Sequence, residues 1–591
     1  MVKEKFVMHN PLTFNIMDLH GKVSTSPEIV DFLTNRDSDE LDEENFSEFL
    51  NFAPEKQRKG MVETFGMESY AVDYIANQVA KLRPDSRVIL SDGKRRSLGQ
   101  IVQEEGNPKA VFMTSMSSNF PTAVATTIAL NHAKIPVVLG GIHVSTSPDD
   151  VNTFIRKYAP NPELISQVRG AGDSKILQEV MKDIDNSTLK PDYIGYETME
   201  DGVWGAENIE KMEPMKMDLL NRIPGIGWAL GENFKINPIT PYLGCPHSCN
   251  FCSISTLPKK QRKFQSRSPG DFVDELKTYQ ENGADFGNRF FFFLPDNLLL
   301  GGKTLDKTLD GIIESDLEIN YAAQISIDVA NDEGLMKKLR QSGATHFFIG
   351  MESLDLDNLK YIGKNAVKDI EKKGVSVESY YKEQVGKMQD NGISVHGAFI
   401  LGLPFDYYNS PNDHTGVDIA NFCIDNKIGL QPCSLTDLPG SKNFRDAQAN
   451  NTHIYGAQGT MDYLTSLCIA DLTETNKVPP KSLHESPLTV AYMAYDAVER
   501  ACSTSVALKN GIYMAKKSWQ HPTANGTTLK KKAMDSACAF ASQLIVSQYK
   551  DHGEAVAHST PEFRGSFERL YEREQNQDVK KMFNGFVERF K

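Results

Sequence analysis

The sequence predicts an α/β protein in three parts: an N-terminal parallel-sheet domain, a central partial (β/α)6 barrel and a mainly helical C-terminal domain. Three observations lead there. Short apolar runs alternate with helix-like stretches over residues 1–190, the pattern of strands joined by crossover helices in a parallel sheet. The alternation restarts near residue 238 and yields six further strand-like runs up to residue 435. Beyond residue 446 the strand signal fades, and from residue 487 apolar residues recur at three- and four-residue spacing. A chain of 591 residues is also too long for one core of ordinary size.

In the first part, residues 1–190, KFVMH (5–9), RVILSD (87–92), AVFMTS (110–115) and PVVLGG (136–141) read as short buried strands, and residues 174–184 as a helix. Residues 191–236 are rich in Pro, Gly, Asn and Asp, which is linker composition. The barrel, 237–445, takes its strands from ITPYLG (239–244), NRFFFFLP (288–295), NYAAQISI (320–327), THFFIGM (345–351), VHGAFILGLP (395–404) and LQPCSL (430–435), with helices at 270–282 and 333–342. The remaining 446–591 form the helical domain. The acidic run RDSDELDEENFSE (36–48) reads as a solvated loop or exposed helix.

With 64 basic against 78 acidic residues the formal net charge is -14, the opposite of a clustered basic footprint, so nucleic acid is not expected as a partner. The N-terminus MVKEKFVMHN lacks the apolar core of a secretory signal, and no apolar run reaches the length of a membrane span. A cytoplasmic location is expected.

Chemistry concentrates in LGCPHSCNFCSIS, where Cys245, Cys249 and Cys252 stand at C-x3-C-x2-C spacing just after a strand. The other five cysteines, Cys423, Cys433, Cys468, Cys502 and Cys538, are scattered, which no disulfide framework would be. Three thiolates within eight residues can wrap one cuboidal cluster and leave a fourth iron free. A zinc site that borrows His247 or Cys433 fits the same spacing.

The C-x3-C-x2-C motif with an aromatic residue, Phe251, before its last cysteine resembles the signature of the radical S-adenosylmethionine (SAM) superfamily. The resemblance implies a 4Fe-4S cluster that reductively cleaves SAM to methionine and a 5'-deoxyadenosyl radical, with Phe251 shielding the cluster or packing on the adenine. Downstream, FFFFLPDN, FIGMES and GAFILGLPFD resemble strand-end segments of that superfamily. By that resemblance Asp296, Asn297, Gln324, Glu352, Ser353, Gly397, Ile400 and Gly402 contact SAM. At the ends of consecutive parallel strands Asp296, Gln324, Glu352 and Gly402 would face one mouth.

VVLGGIHVSTSPDD (137–150), RGAGDSKILQEV (169–180) and TSMSSNFPTA (114–123) resemble the Rossmann-like domain of superfamily members that bind cobalamin. Ser115, Ser117, Gly140, Gly141, His143 and Gly172 are the implied corrinoid contacts, the glycines admitting a flat macrocycle and the serines binding a nucleotide tail. The chain departs from the pattern at Ile142, at Ala171 and Asp173, and at Asp18-Leu19-His20-Gly21, where Val23 replaces the last glycine of a cobalt-ligating motif. Methylthiotransferases are excluded, because they need three N-terminal cysteines and none precedes Cys245.

The expected activity is cobalamin-dependent methyl transfer to an unactivated carbon or to phosphorus. The alternatives are a cobalamin-independent rearrangement, cyclisation or oxidation, and a non-catalytic iron-sulfur or zinc protein. The implied partners are a small-molecule, lipid or peptide substrate and an electron donor such as flavodoxin or ferredoxin. The C-terminal domain is expected to pack over the barrel mouth and exclude water. The basic runs PKKQRK (258–263) and LKKK (529–532) read as solvated faces.

Overall fold

A computed structural model describes residues 4–10, 70–92, 98–116, 119–172, 174–195, 201–204, 206–210, 236–259, 264–281, 290–435, 438–450, 487–523, 528–557, 577, 580 and 581. The acidic run 36–48, the Asp18–Val23 segment, Ser117, Asp173 and Cys468 lie outside the described residues.

The N-terminal strands are β1 (Lys5–Asn10), β2 (Arg87–Asp92), β3 (Ala110–Thr114), β4 (Val137–Gly140), β5 (Ile165–Arg169), β6 (Asp192–Ile194) and β7 (Ile209–Glu210). They form one parallel sheet in the order β6-β5-β4-β3-β1-β2-β7. Alternate residues feed two cores: Val7, Ile89, Val111 and Leu139 pack under the helices Leu98–Glu105 and Phe120–His132, whereas Phe6, Met8, Val88 and Phe112 pack under Tyr70–Leu82 and Ser174–Asp185. The expected linker is partly sheet, because β6 and β7 extend it at its two edges. Edge strands of three and two residues are too short to leave an apolar run in the sequence.

The barrel strands are β8 (Asn237–Ile239), β9 (Tyr242–Leu243), β10 (Gln265–Ser266), β11 (Phe290–Phe293), β12 (Asn320–Gln324), β13 (Ala344–Glu352), β14 (Ser394–Leu401), β15 (Tyr408–Ser410), β16 (Asp413–His414) and β17 (Gly429–Ser434). Six of them make an open parallel sheet in the order β17-β14-β13-β12-β11-β8, the expected partial barrel. Its outer face, including Phe291, Phe293, Tyr321, Phe347, Ile349 and Phe399, packs under the crossover helices. Its inner face is covered by the C-terminal helices: Phe290, Phe292 and Ala322 share a core with Ala507, Met534, Cys538 and Leu544.

Those helices, Thr504–Gln520 and Leu529–Ala557, do not cap the mouth. They seal the opposite end, where the strands begin. Asn320, the first residue of β12, donates to Asp535 at 2.8 Å, and Gln543 donates to Ser394, the first residue of β14, at 2.6 Å. Lys531, read from the sequence as part of a solvated basic run, is buried and pairs with Asp535 at 2.9 Å. The amphipathic pattern locates these helices on a core but carries no information about which end of the barrel they close.

Candidate functional site

Gly244, in the left-handed region at φ 94, turns the chain out of β9 into the cysteine loop. The loop is closed at its base by the antiparallel pair β9–β10, with Gln265 opposite Leu243 and Ser266 opposite Tyr242. Ser255 Oγ donates to the carbonyls of Cys249 at 3.0 Å and Cys252 at 2.6 Å, and the Cys252 N–H donates to the Cys249 carbonyl at 3.2 Å. These bonds give the loop a defined shape. Cys245, Cys249 and Cys252 are all half-buried free thiols.

Burial pushes all three thiols above their ordinary value; at Cys249 the Lys364 ammonium opposes it, and at Cys245 and Cys252 backbone N–H groups of His247, Ile254 and Ser255 oppose it. Donors aimed at sulfur favour the thiolate, the form that binds iron. Among the described residues no three His, Cys, Asp or Glu side chains stand together as they would around a single ion. The thiolates of a cuboidal cluster each bind a different iron and need not converge. Phe251 is partly buried against the barrel core, so packing accounts for it.

Opposite the loop stand residues at the carboxyl ends of the strands. Asp296 is accessible yet ringed by protein, which pushes its carboxyl up, and its charge is felt at Cys245 and Cys252. Gln324 ends β12 in the open. Among the described residues neither side chain makes a hydrogen bond. Glu352 ends β13 with φ 66, a left-handed conformation costly for a residue with a side chain, and its carboxylate takes a 2.9 Å ion pair from Lys364. A side chain at Gly350 would collide with that carboxylate, so the glycine makes its room. Cys433, also at this end, is accessible, and its thiol is pushed up to about 11 by its surroundings and by Glu352.

Other residues expected at the mouth serve its frame. Asn297 accepts from the Leu299 N–H at 3.1 Å and the Ser326 N–H at 3.2 Å, which ties the end of β11 to the end of β12. Ser353 is buried and accepts from Asn358 at 3.2 Å. Gly397 has Met351 and Phe399 where its side chain would be, and Gly402, at φ 99, has Val490 of the helix Pro487–Ala501. Packing thus requires both glycines, and Ile400 is buried in the same core. The sequence reading missed Asn358 and Asp406. Asp406 is fully enclosed, accepts from Asn358 at 2.9 Å and from the N–H groups of Gly402 at 2.8 Å and Leu403 at 3.0 Å, and so joins the ends of β13 and β14. Its signal was present in GLPFD, an acid directly after a strand-end glycine turn.

In the N-terminal sheet the strand order reverses between β3 and β1, and ligands of such sheets bind outside the carboxyl ends at that point. Ser115 lies there. It is fully buried, and its Oγ has no hydrogen-bond partner among the described residues. A side chain at Gly140 would meet nothing within 4 Å, whereas Gly141, at φ 100, passes against the Ser115 backbone. An orphaned hydroxyl beside open backbone fits a bound polar group. His143 is buried, its ring tilted against Phe120 at a centroid distance of 3.9 Å and its Nε2 3.3 Å from Asp150. Gly172 lies against Ile75, so close helix packing explains it. The helix Ile142–Thr146 that leaves this crevice packs against Ser253–Thr256, the turn directly after Cys252.

Residues 239–414 match the profile of the radical SAM superfamily. The chain is 24% identical over 323 residues to bacteriochlorophyllide d C-12(1)-methyltransferase and 25% identical over 314 residues to bacteriochlorophyllide d C-8(2)-methyltransferase, both from Chlorobaculum tepidum. These alignments cover 54% and 52% of this chain and 61% and 62% of those proteins, so the chain spans about three-fifths of the length of the curated relatives it matches. The solved structure of the radical SAM methyltransferase TsrM from Kitasatospora setae, with cobalamin and a [4Fe-4S] cluster bound, superposes with a TM-score of 0.50 at 12% identity over 92% of this chain and 99% of that one, which shows a common fold. With the three cysteines on a loop facing the strand ends of a partial barrel, residues 239–414 form a radical SAM domain.

Proposed function

We propose that the protein is a cobalamin-dependent radical SAM methyltransferase acting on an unactivated carbon or on phosphorus. The observation that carries this reading is the contact between the Gly140–Gly141 crevice and the cysteine loop, made by the helices Ile142–Thr146 and Ser253–Thr256. Two cofactors held at those places from two domains would address one substrate. The two bacteriochlorophyllide relatives are methyltransferases, which supports the same reading.

Cys245, Cys249 and Cys252 would hold three irons, and Asp296, Gln324 and Glu352 would orient SAM at the fourth. Lys364 positions the Glu352 carboxylate through their 2.9 Å ion pair. Ser115 would bind a polar group of the corrinoid above Gly140. When bound, the cluster with SAM supplies a carbon radical that removes hydrogen from substrate, and the corrinoid supplies a methyl group. The C-terminal seal closes the barrel at the end opposite that chemistry, so water does not reach it through the floor.

Oxygen-free reconstitution with iron, sulfide and hydroxocobalamin tests this. About four irons per chain, lost in the triple Cys→Ala variant, with a retained stoichiometric corrinoid band, is the expected result. Irons without corrinoid would remove methyl transfer from cobalamin and leave a rearrangement, cyclisation or oxidation. One tight zinc and no iron would overturn the reading.

A further inference from the structure

The helix Thr504–Gln520 is packed along one side and bare along another. Ala507, Asn510, Gly511, Met514 and Ser518 are buried, with Gly511 pressed against Phe540 of the following helix. Beside that packed side Leu508, Ile512 and Trp519 are 39%, 51% and 43% exposed, and Ala515 between them is half-buried. Their i, i+4, i+7, i+11 spacing sets them in one stripe along the helix. Leu529, which opens the next helix, is 71% exposed. Single apolar residues at a surface need no explanation, but a continuous row of them marks a contact surface.

The charge around the stripe has one sign. From Thr504 to Met534 the sequence holds six lysines, no arginine and no Asp or Glu, although the chain as a whole carries -14. Lys531 belongs to the sealed floor, and Lys517 pairs with Asp390 at 2.6 Å. Lys509 and Lys516 are exposed alongside the stripe, and Lys530 and Lys532 follow Leu529.

Lysines beside Leu, Ile and Trp suit a bilayer surface, where ammonium groups meet anionic headgroups and the apolar side chains enter the interface. Nucleic acid is read by Arg and polar side chains rather than by aliphatic ones. A second copy would bring like charges together. An electron carrier has to approach the cysteine loop, which lies at the other end of the barrel from these helices. Among the described residues no helix is long and apolar enough to cross a membrane, so such a contact lies on the surface.

We propose that Leu508, Ile512 and Trp519, with Lys509 and Lys516, dock the protein on an anionic lipid surface. The proposal concerns where the protein works and is independent of its reaction.

Co-sedimentation of the reconstituted protein with vesicles tests it. Binding is expected to phosphatidylcholine vesicles containing about one-third phosphatidylglycerol and not to phosphatidylcholine alone. Lys509→Glu with Lys516→Glu should weaken it about tenfold or more, and Trp519→Ser roughly fivefold. Lys368→Glu with Lys372→Glu, the same charge change at exposed positions of the barrel helix Ala366–Lys373, should leave it unchanged. The tryptophan emission of the wild type should shift to the blue on the anionic vesicles, and Trp519→Phe should abolish that shift. Equal binding to the neutral vesicles, or wild-type binding by the charge-reversed stripe or by Trp519→Ser, overturns the proposal. A dimer that the stripe variants dissociate, with no vesicle binding, also overturns it and assigns the stripe to a second copy.

Discussion

The two ends of the barrel use polar residues in opposite ways. Where the strands begin, the buried charges are paired: Asp535 meets Lys531 at 2.9 Å and Arg340 at 3.5 Å and accepts from Asn320, while Arg340 also donates to the Ala344 carbonyl at 2.8 Å. Where the strands end, Asp296, Gln324 and Cys433 are accessible, and Glu352 sits in a strained conformation. Paired charges in a sealed core record folding requirements. Accessible polar groups lining a concavity record a ligand.

The largest effect should come from the mouth. Replacing Cys245, Cys249 and Cys252 by Ala is expected to abolish iron binding and lower SAM cleavage by about a thousandfold or more, with the urea midpoint of the metal-free protein nearly unchanged. A collapse in that midpoint would show that the loop is a folding element and would erase the distinction between the ends.

The converse holds at the floor. Asp535→Ala leaves Lys531 and Arg340 buried without their counter-charge and should cost about 3–5 kcal/mol, read by urea denaturation. Asp296→Asn at the mouth should change stability by less than about 0.5 kcal/mol and weaken SAM about tenfold, read by equilibrium dialysis. Equal stability losses at the two positions would break the comparison.

A middle-sized effect is expected across the domain contact. Ser115→Ala removes a buried hydroxyl that has no hydrogen-bond partner among the described residues, so corrinoid affinity should fall about fivefold to tenfold while iron content stays constant. Spectral titration with hydroxocobalamin measures it, and unchanged affinity would remove Ser115 from the corrinoid site.

What the sequence made legible follows from the same division. The six barrel strands were readable because runs such as FFFF at 290–293 are buried on both faces and so continuously apolar, and FFIGM at 347–351 is largely so. The cysteine triad was readable as a motif because its three thiols are local in sequence. The roles of Gly397 and Gly402 were not, because a glycine that admits a ligand and one that admits Met351 or Val490 look alike in a sequence. The place of the C-terminal helices was equally hidden, since the Asn320–Asp535 contact joins residues 215 positions apart. His143 misled for a related reason: its motif fixed the turn, while the partners of its ring, Phe120 and Asp150, are set by tertiary packing.

The smallest effect concerns the seam that holds the two crevices together. Arg267 of the barrel lies over Trp204 and pairs with Asp271 and Glu275, while the Tyr70 ring packs tilted against Trp204 at 5.2 Å and the Gly202 N–H donates to Asp271 at 2.6 Å. Burial pushes the Glu275 carboxyl up to about 7, outweighing the opposing pull of Arg267, with Asp271 adding to the rise. A carboxyl whose pKa is higher folded than unfolded binds its proton more tightly in the native state, so stability falls as pH rises from the ordinary carboxylate range to about 7 and is flat beyond it. The melting temperature should drop by about 2 °C across that window, and Glu275→Gln should remove the slope because an amide has no proton to lose. A slope that survives in Glu275→Gln would move the titration elsewhere. A slope that vanishes would show that the seam, unlike the sealed floor, contains a buried charge its partner does not fully stabilise, and that the registration of the two crevices is weakest where the domains meet.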